Sequence, residues 1–362
     1  MSTLSVISHA KRIRVPAAET TIPLLAVAAS LCVGLVLMAV TGSSVGDAIA
    51  AFADGAFGSA YALGASINRA VALTLVGLGF ILAAQANLTN VGGEGQIAMG
   101  GIFATAVALY GGVANLPLGL PELLPILAGT AAGAVWGALA GVMKVRFGTN
   151  EVISTLLLTF IALLMVYGAV QSEDLLRQPS TSSGTLPESL PIPPATALPM
   201  LTSDPSNPLH IGALVAVVAA TLVGITLRQS VFGLRLKAVG LNRIASRRAG
   251  IRTDTLIVAA LGIAGALGGL AGAMMLLGEQ GYLKAGFSSG YGFDGLVVGL
   301  LSRGSTLGVL AAAIFFGFLR SGGISMEISA GVPAAVVLIV QGLVVVAIAG
   351  STILIEQAGR KS

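Results

Sequence analysis

Charge is scarce in this 362-residue chain: 9% of its residues are charged and 55% are hydrophobic. A soluble domain carries about 25% charged residues, so the composition excludes a soluble protein with a large core. Apolar runs of roughly 20 residues, the length that crosses a hydrocarbon layer about 30 Å thick, occur repeatedly. The composition therefore predicts an all-α, polytopic membrane protein.

Cysteine and histidine are nearly absent, with one and two residues. Cys32 alone cannot form an intrachain disulfide, and His9 and His210 supply no metal-ligand set. The chain contains neither H-E-x-x-H nor the P-loop pattern G-x-x-x-x-G-K-S/T. G286-F-S-S-G290 matches a nucleophile-elbow pattern but has no suitable histidine partner. We therefore predict no metal, no bound cofactor and no catalytic residue in this chain.

Apolar runs predict about ten membrane spans, and eight or nine are possible because the eighth and ninth are short and interrupted by glycine. They lie near residues 22–41, 69–89, 96–114, 122–143, 152–170, 209–227, 255–277, 284–302, 305–320 and 332–351. The Ala- and Gly-rich region 46–66 is predicted to be a helix or loop on the outer face. The first run is too long for a signal-peptide core, so we predict a retained helix.

The charges set the predicted orientation. Seven of the 19 Lys and Arg residues lie between Arg228 and Arg252, which indicates a cytoplasmic loop at 228–253 and not a nucleic-acid-binding face. The segment 171–208 holds four acidic residues and eight of the 14 prolines, and is predicted to be extracytoplasmic. The membrane domain then covers 22–351, with cytoplasmic tails at 1–21 and 352–362.

Ten spans divide into two halves of five, and five is odd, so the halves have opposite orientations. G93-E-G-Q-I-A-M-G100 and Y291-G-F-D-G-L-V-V-G299 both place an acid just before a glycine in an interrupted apolar segment. Paired interruptions of this kind indicate inverted repeats and a substrate path near the midplane. The candidate path residues are Asn87, Asn90, Glu94, Gln96, Gln280, Tyr291 and Asp294.

Glu94 stands among five glycines, in T89-N-V-G-G-E-G-Q-I-A-M-G-G101. A carboxylate costs about 2.5 kcal/mol or more at the centre of a lipid-facing helix, so we expect it to have a partner. We favour a structural role, in which Glu94 accepts backbone N–H groups at the start of its own helix. Gating or coupling, and direct substrate contact, are the alternatives.

Two further patterns have structural interpretations. Glycine recurs at every fourth position of the fourth predicted span, which leaves one helix face without side chains and favours close helix packing. The residues concerned are Gly129, Gly133, Gly137 and Gly141. Asn150 and Glu151 open the fifth span, where they form either a helix cap or a polar contact at a moving junction.

The basic loop F232-G-L-R-L-K-A-V-G-L-N-R-I-A-S-R-R-A-G-I-R252 predicts a short helix between glycines. Its small apolar face, formed by Ala238, Leu241 and Ala245, is suited to a groove on a cytoplasmic partner.

Four motifs occur in an order that resembles a known family. They are N90-V-G-G-E-G-Q96, N150-E-V-I-S-T-L-L-L158, A238-V-G-L-N242 with A249-G-I251, and Y291-G-F-D-G-L-V-V298. From about residue 65 to 350 the chain resembles the permease subunits of ABC importers of the branched-chain amino acid/ribose superfamily. It is most similar to the nucleoside and simple-sugar branch.

The resemblance implies a multi-pass protein of the bacterial cytoplasmic membrane that pairs with a second permease, a related chain being favoured over an identical copy. ATP and Mg²⁺ would bind to separate cytoplasmic ATPase subunits, and an extracytoplasmic lipoprotein would deliver the substrate. The residues implied for the ATPase-coupling loop are Gly240, Asn242, Ala249 and Gly250, to which the basic pattern adds Arg235, Lys237 and Arg243. This loop is more basic than the family's usual pattern.

Three alternatives remain at this point. Riboflavin or another ribosyl-like compound is the second choice of substrate for the same machinery. An ion-coupled secondary transporter would use Glu94 and Asp294 as coupling groups, but it does not explain the ordered loop motifs. A membrane enzyme is disfavoured, because the sequence offers no nucleophile–base pair and no metal set.

Overall fold

A computed structural model describes residues 16–40, 44–179, 187–333, 335–340, 342–344, 346–347 and 350. The predicted C-terminal tail, residues 1–15 of the N-terminal tail and residues 180–186 of the predicted outer loop lie outside the described residues. The chain forms two compact units, one of residues 53–322 and the other of residues 1–52 with 323–362.

Within the described residues, all regular secondary structure is helical, which confirms the all-α prediction. The helices are α1 (Pro16–Val40), α2 (Val45–Phe57), α3 (Ala60–Gln85), α4 (Gly93–Tyr110), α5 (Leu120–Phe147), α6 (Glu151–Gln171), α7 (Gly212–Gln229), α8 (Val231–Leu241), α9 (Arg243–Arg248), α10 (Thr253–Met275), α11 (Tyr291–Leu301) and α12 (Thr306–Ala330). A π-helical turn, Leu276–Gln280, extends α10, and short 3₁₀ turns form at Val113–Asn115 and Pro194–Thr196.

Six of these helices are long and apolar enough to cross a membrane: α3, α5, α6, α7, α12, and α10 together with its π-helical turn. Shorter apolar helices occur at Tyr291–Leu301 and Ala335–Val344. These helices confirm a polytopic membrane protein. The number of ten spans and their division into inverted halves of five remain predictions.

Three predicted boundaries are wrong, and one of them is the end of the ninth span, because α12 continues to Ala330 and not to residue 320. The separate segment predicted at 46–66 is the helix α2 and ends at Phe57, because α3 already begins at Ala60, where Ser59 accepts a hydrogen bond from Ala62 N at 3.0 Å. The location of α2 on the outer face remains a prediction. The predicted span 284–302 is helical only from Tyr291, because the preceding residues form turns with positive φ, including +74° at Gly286 and +80° at Gly290.

The glycine face of α5 lies directly against α10. A Cβ added to Gly133 would lie 2.3 Å from Gly265 O, and one added to Gly137 would lie 2.2 Å from Leu261 O. Gly129 approaches Ala273 and the backbone of Gly100 in the same way. The two helix backbones are therefore in contact over several turns, at a distance that no larger residue allows.

Two chain segments interrupt the bundle. After α3 ends at Gln85, the chain turns back, and α4 begins beside Val76, which lies about 14 Å from Gln85 along the helix axis at roughly 1.5 Å per residue. After the π-helical turn, residues 281–290 lead to α11, which follows α3 from Val76 to Phe80. With 11 residues, α11 is too short to cross a bilayer. Both α4 and α11 therefore begin inside the bundle.

The described end of the loop 171–208 is attached to the π-helical turn. Backbone N–H groups of Ser189, Ile192 and Leu198 donate to carbonyl groups of the turn and the residues just after it, at 2.8 to 2.9 Å. The loop therefore covers the end of α10 at which the second interruption begins. Its extracytoplasmic location remains a prediction.

The unit of residues 1–52 and 323–362 has its own apolar core. Side chains from α1, α2, the end of α12 and the segment after it form this core. Its buried members are Met38, Ala48, Met326, Val332, Val336 and Val340.

Candidate functional site

The first turns of α4 and α11 meet inside the bundle. Gly93 and Gly292 are so close that a Cβ added to Gly292 would lie 2.0 Å from Glu94 N. The first N–H groups of a helix have no partner within that helix and carry the positive end of its dipole. Two helix starts at one place concentrate positive potential, and we call this place the half-helix junction.

Glu94 supplies the matching negative charge. Its Oε1 accepts a hydrogen bond from Gly290 N at 2.7 Å and its Oε2 accepts one from Gly292 N at 2.6 Å, while only 4% of the residue is exposed. The sequence-based expectation that Glu94 caps its own helix is wrong. At the start of α4, Gly92 is the cap residue and no side chain bonds there. Glu94 caps α11, which lies almost 200 residues further along the chain.

Arg320 of α12 organises the other side of α11. Its Nη1 forms an ion pair with Asp294 Oδ2 at 2.6 Å, and its Nη2 donates to the Ser289 carbonyl. The guanidinium also lies 3.8 Å from the centre of the buried Tyr291 ring. A carboxylate, a carbonyl and an aromatic face together hold the arginine in one orientation.

Two more charged side chains complete this group. Arg69 of α3 donates from Nη1 to Ser321 Oγ at 2.8 Å. Glu279 of the π-helical turn interacts electrostatically with Arg69 and Arg320. We refer to Arg69, Glu279, Asp294 and Arg320 as the charged cluster. Its formal charges sum to zero, and it lies among helices that cross the membrane.

Sequence reasoning missed three members of the charged cluster, Arg69, Glu279 and Arg320. The signal was present, because each interrupts an apolar run in a membrane protein, and such residues are functional candidates by default. Within the described part of the chain, no group of three or more His, Cys, Asp or Glu residues could hold a metal ion.

Asn90 and Gln96 form a separate polar pair at the start of α4. Asn90 Nδ2 donates to Gln96 Oε1 at 3.1 Å, and Gln96 Nε2 donates to Asn90 Oδ1 at 3.2 Å. Both residues are buried, and Thr155 Oγ1 of α6 accepts the neighbouring Val91 N–H. This pair fixes the turn that leads into α4.

The structure does not bring all the candidate path residues together. Glu94, Tyr291 and Asp294 meet at the half-helix junction. Gln280 Nε2 donates to the Phe287 carbonyl at 3.0 Å, whereas its buried Oε1 has no hydrogen-bond partner within the described chain. Asn87 lies apart, in a turn with φ +55° at the far end of α3.

His210 precedes α7 and is packed against the π-helical turn at Gly278. Its Nδ1 accepts from Gly212 N at 3.1 Å, so the proton of the neutral ring is on Nε2. Burial lowers the pKa of His210 to about 4. Because Nε2 has no hydrogen-bond partner within the described chain, nothing compensates a charge on this ring.

The basic loop forms two helices, α8 and α9, and not one. Asn242 separates them and caps α9, since its Oδ1 accepts from Ala245 N at 2.9 Å. Gly240 approaches the end of α3, where an added Cβ would lie 2.2 Å from Gln85 O. The loop is therefore in backbone contact with the helix from which the first interruption starts.

The residues of the predicted apolar face lie on two helices, Ala238 and Leu241 on α8 and Ala245 on α9, and their role as a partner surface remains a prediction. The buried apolar side chains are those of Leu236 and Val239, which pack inward, whereas Leu241 and Ala245 are exposed. The prediction assumed one continuous helix, and the break at Asn242 changes which residues share a face. The exposed apolar residues of the two helices are Val231, Leu234, Leu241 and Ile244.

The charged residues of the loop are mostly exposed. Asp254 at the start of α10 accepts from Arg243 at 2.9 Å and from Arg247 at 2.8 Å. Arg235 and Lys237 are exposed on α8, and Ala249 and Gly250 lie in the turn after α9, where Gly250 has φ +80°. The ion pairs from Arg243 and Arg247 to Asp254 attach α9 to the start of α10.

Asn150 and Glu151 both have structural partners. Asn150 Oδ1 accepts from Val152 N at 2.9 Å and so caps α6, while Glu151 forms an ion pair with Lys144 Nζ at 2.5 Å. The cap interpretation is thus confirmed for Asn150. The pair from Lys144 to Glu151 joins the end of α5 to the start of α6.

Comparison with known proteins identifies relatives over most of the chain. The guanosine ABC transporter permease protein NupP of Bacillus subtilis is 35% identical over 332 residues, which cover 91% of this chain and 93% of NupP. The glucose ABC transporter permease protein TsgB13 of Haloferax volcanii is 36% identical over 89% of this chain and 85% of its own. The nucleoside ABC transporter permease protein NupB of Lactococcus lactis is 30% identical over 91% and 90%.

Two more distant relatives bear on partners and substrates. NupQ, a second guanosine ABC transporter permease protein of Bacillus subtilis, is 25% identical over 71% of this chain and 80% of its own. The probable riboflavin import permease protein RfuC of Treponema pallidum is 25% identical over 77% and 72%. No solved structure matches the chain.

The family described as branched-chain amino acid transport system / permease component matches residues 62–349. This range contains all of α3 except its first two residues, and all of α4 to α12, and with them the half-helix junction, the charged cluster and the basic loop. The chain therefore belongs to the branched-chain amino acid transport system / permease component family.

Proposed function

We propose that this chain is the transmembrane permease subunit of an ABC importer and forms the path for a nucleoside or simple sugar. The family assignment supports the permease role, and the names of NupP, NupB and TsgB13 support the substrate class. Substrate would arrive on an extracytoplasmic binding protein. ATP and Mg²⁺ would bind to partner ATPase chains.

The half-helix junction is the observation that carries this proposal. Transporters place substrate sites near the bilayer midplane, where discontinuous helices leave backbone groups facing a protein-lined cavity. Here α4 and α11 begin together, and Glu94 connects them through two hydrogen bonds. Tyr291 and Asp294 are at this point, whereas Asn90 and Gln96 support the entry to α4. We place the substrate path beside the junction.

The segment formed by α8 and α9 is proposed to couple this path to ATP hydrolysis. Its exposed apolar and basic residues form a surface for a cytoplasmic ATPase, and Gly240 is in contact with the end of α3. A movement of α8 would therefore reach α3 and, beyond it, the turn that leads to Glu94. The protein is proposed to lie in the inner membrane of a bacterial cell. With the basic loop in the cytoplasm, both chain termini are then cytoplasmic as well.

The second permease subunit is proposed to be a related chain. Two different relatives of this protein, NupP and NupQ, occur in Bacillus subtilis, and both are named guanosine ABC transporter permeases. An importer with two related permeases fits this pair. Copurification of two different permease chains would support a heterodimer, and recovery of this chain alone with an active ATPase would contradict it.

Uptake into proteoliposomes tests the function. We expect ATP-dependent accumulation of guanosine or glucose by the permease pair with its ATPase and binding protein, and none with an ATPase that lacks its catalytic residue. Uptake that persists with the inactive ATPase and collapses with a proton-gradient uncoupler would establish an ion-coupled transporter instead.

Riboflavin is the second candidate substrate, because RfuC is also a relative. Binding of guanosine, glucose and riboflavin to the cognate binding protein separates these candidates. Preference for riboflavin would keep the transport mechanism and change the substrate.

A further inference from the structure

Glu279 differs from the other members of the charged cluster because it has no direct protein partner. Arg320 is engaged by Asp294 and Ser289, and Arg69 by Ser321. Glu279 forms no hydrogen bond or direct ion pair in the described chain, although it interacts electrostatically with both arginines. Its carboxylate is therefore available to a ligand.

Glu279 is exposed and lies near the end of a span that has no other charged residue after Asp254. Charged side chains within spans face a bundle interior or a water-filled cavity, or reach the membrane surface from the end of a span. The electrostatic interaction with Arg69 of α3 and Arg320 of α12 places Glu279 toward the interior. Its exposed surface therefore lies along a wet space between helices.

The chemistry of the cluster selects a neutral ligand with paired hydroxyl groups. The two arginines already balance Glu279 and Asp294, so an ionic ligand would add an uncompensated charge. A carboxylate has two oxygens that accept hydrogen bonds, and two neighbouring hydroxyl groups can donate to both. Arg69 uses one N–H on Ser321 and has further donors for the hydroxyl oxygens.

Nucleosides, simple sugars and riboflavin, the three candidate substrate classes, all carry a pair of neighbouring hydroxyl groups. The ribose of a nucleoside, the ring of glucose and the ribityl chain of riboflavin all carry hydroxyl groups on adjacent carbons. A site for such a pair suits each of the substrates named for these relatives.

We propose that Glu279, with Arg69 beside it, binds a vicinal hydroxyl pair of the transported nucleoside or sugar. This assignment rests on the proposed function and identifies the substrate group that the permease itself recognises. The π-helical turn places Glu279 in this position, as π-helical turns do at many functional sites.

Uptake by variants provides the first test. In the complete importer, Glu279→Gln is expected to lower guanosine or glucose uptake at least tenfold, with an unchanged melting temperature and unchanged ATPase activity. Glu279→Asp keeps the charge and is expected to recover part of the uptake. Glu327→Gln is the matched control on an exposed residue of α12 and should behave as the wild type.

Binding by the wild-type permease–ATPase complex, without binding protein, provides a test that needs no variant. Guanosine is expected to raise the melting temperature of the complex. At equal concentration, the increase with 2′,3′-dideoxyguanosine is expected to be at least tenfold smaller. Equal shifts from the two compounds, or no shift from guanosine in an importer that transports it, would overturn the assignment.

A failure of the proposed function and a failure of the Glu279 assignment give different results. Absence of wild-type uptake of guanosine, glucose and riboflavin contradicts the proposed function. Normal wild-type uptake together with undiminished uptake by Glu279→Gln contradicts only the role of Glu279.

Discussion

The half-helix junction and the basic loop hold their charges in opposite ways. At the junction, the carboxylate of Glu94 is 4% exposed and accepts two backbone N–H groups. In the loop, Asp254 faces two arginines whose side chains are 44% and 68% exposed. A charge removed from water needs partners with good geometry, whereas an exposed ion pair adds little to stability. The comparison predicts that substitutions lower the free energy of unfolding strongly at the junction and only slightly in the loop.

Glu94→Gln is expected to have the largest effect. The amide keeps one acceptor but places an N–H₂ donor against a backbone N–H donor, which costs about 3 kcal/mol in the free energy of unfolding. The melting temperature in detergent should fall by several degrees, and ATP-driven uptake should fall with it. Glu327→Gln serves as the control. An unchanged melting temperature would show that glycine packing alone holds α4 to α11.

Arg320→Ala is expected to be somewhat less damaging, at about 2 kcal/mol, because Asp294 is one-third exposed and water can partly replace the arginine. Asp294→Asn should recover part of this loss when it is combined with Arg320→Ala. A double-mutant cycle of melting temperatures measures the coupling. Strictly additive losses would mean that Arg320 acts through Tyr291 and Ser289 and not through Asp294.

His210 extends the comparison to a buried group without a charge partner. Its pKa is about 4 in the folded protein and about 6.5 when unfolded, so the unfolded chain binds more protons between these values. Stability is therefore lost as the pH falls from about 6.5 to about 4, by at most about 1.4 kcal/mol per pH unit. His210→Asn, which keeps an acceptor for Gly212 N, should flatten the pH dependence of the melting temperature. An equally steep dependence in this variant would assign the effect to other groups.

Asp254→Asn is expected to have the smallest effect, below about 1 kcal/mol, because the ion pairs with Arg243 and Arg247 are exposed and screened by salt. The melting temperatures of the variant and the wild type should converge at high salt. A fall in melting temperature as large as that of Glu94→Gln would contradict the distinction between the junction and the loop.

Local patterns in the sequence predicted the helices well where a run consists almost entirely of apolar residues. Apolar runs located α5, α6, α7 and α10 to within a few residues, whereas α3 begins nine residues earlier and α12 ends ten residues later than predicted. Asn150 was recognised as a cap because capping acts within one turn. The break at Asn242 and the turns at residues 281–290 were missed. An extended residue at Asn242, and glycines with positive φ at Gly281, Gly286 and Gly290, end a helix inside an otherwise favourable run.

The candidate site was predictable only in part. Glu94, Tyr291 and Asp294 were selected because an acid or a tyrosine among glycines in an apolar run requires an explanation. Arg69, Glu279 and Arg320 also interrupt apolar runs, and Glu279 stands between Gly278 and Gly281, but all three were overlooked. Their relevance appears only when α3, α10 and α12 are brought together.

The sequence by itself determined the class of protein, its family and the presence of an unusual carboxylate at position 94. These follow from composition and from motifs that are local in the chain. The tertiary structure alone decided which helix Glu94 caps and which arginines face Glu279. Hydrogen bonds and ion pairs depend on distance in space, and the partners of Glu94 lie 196 and 198 residues away along the chain.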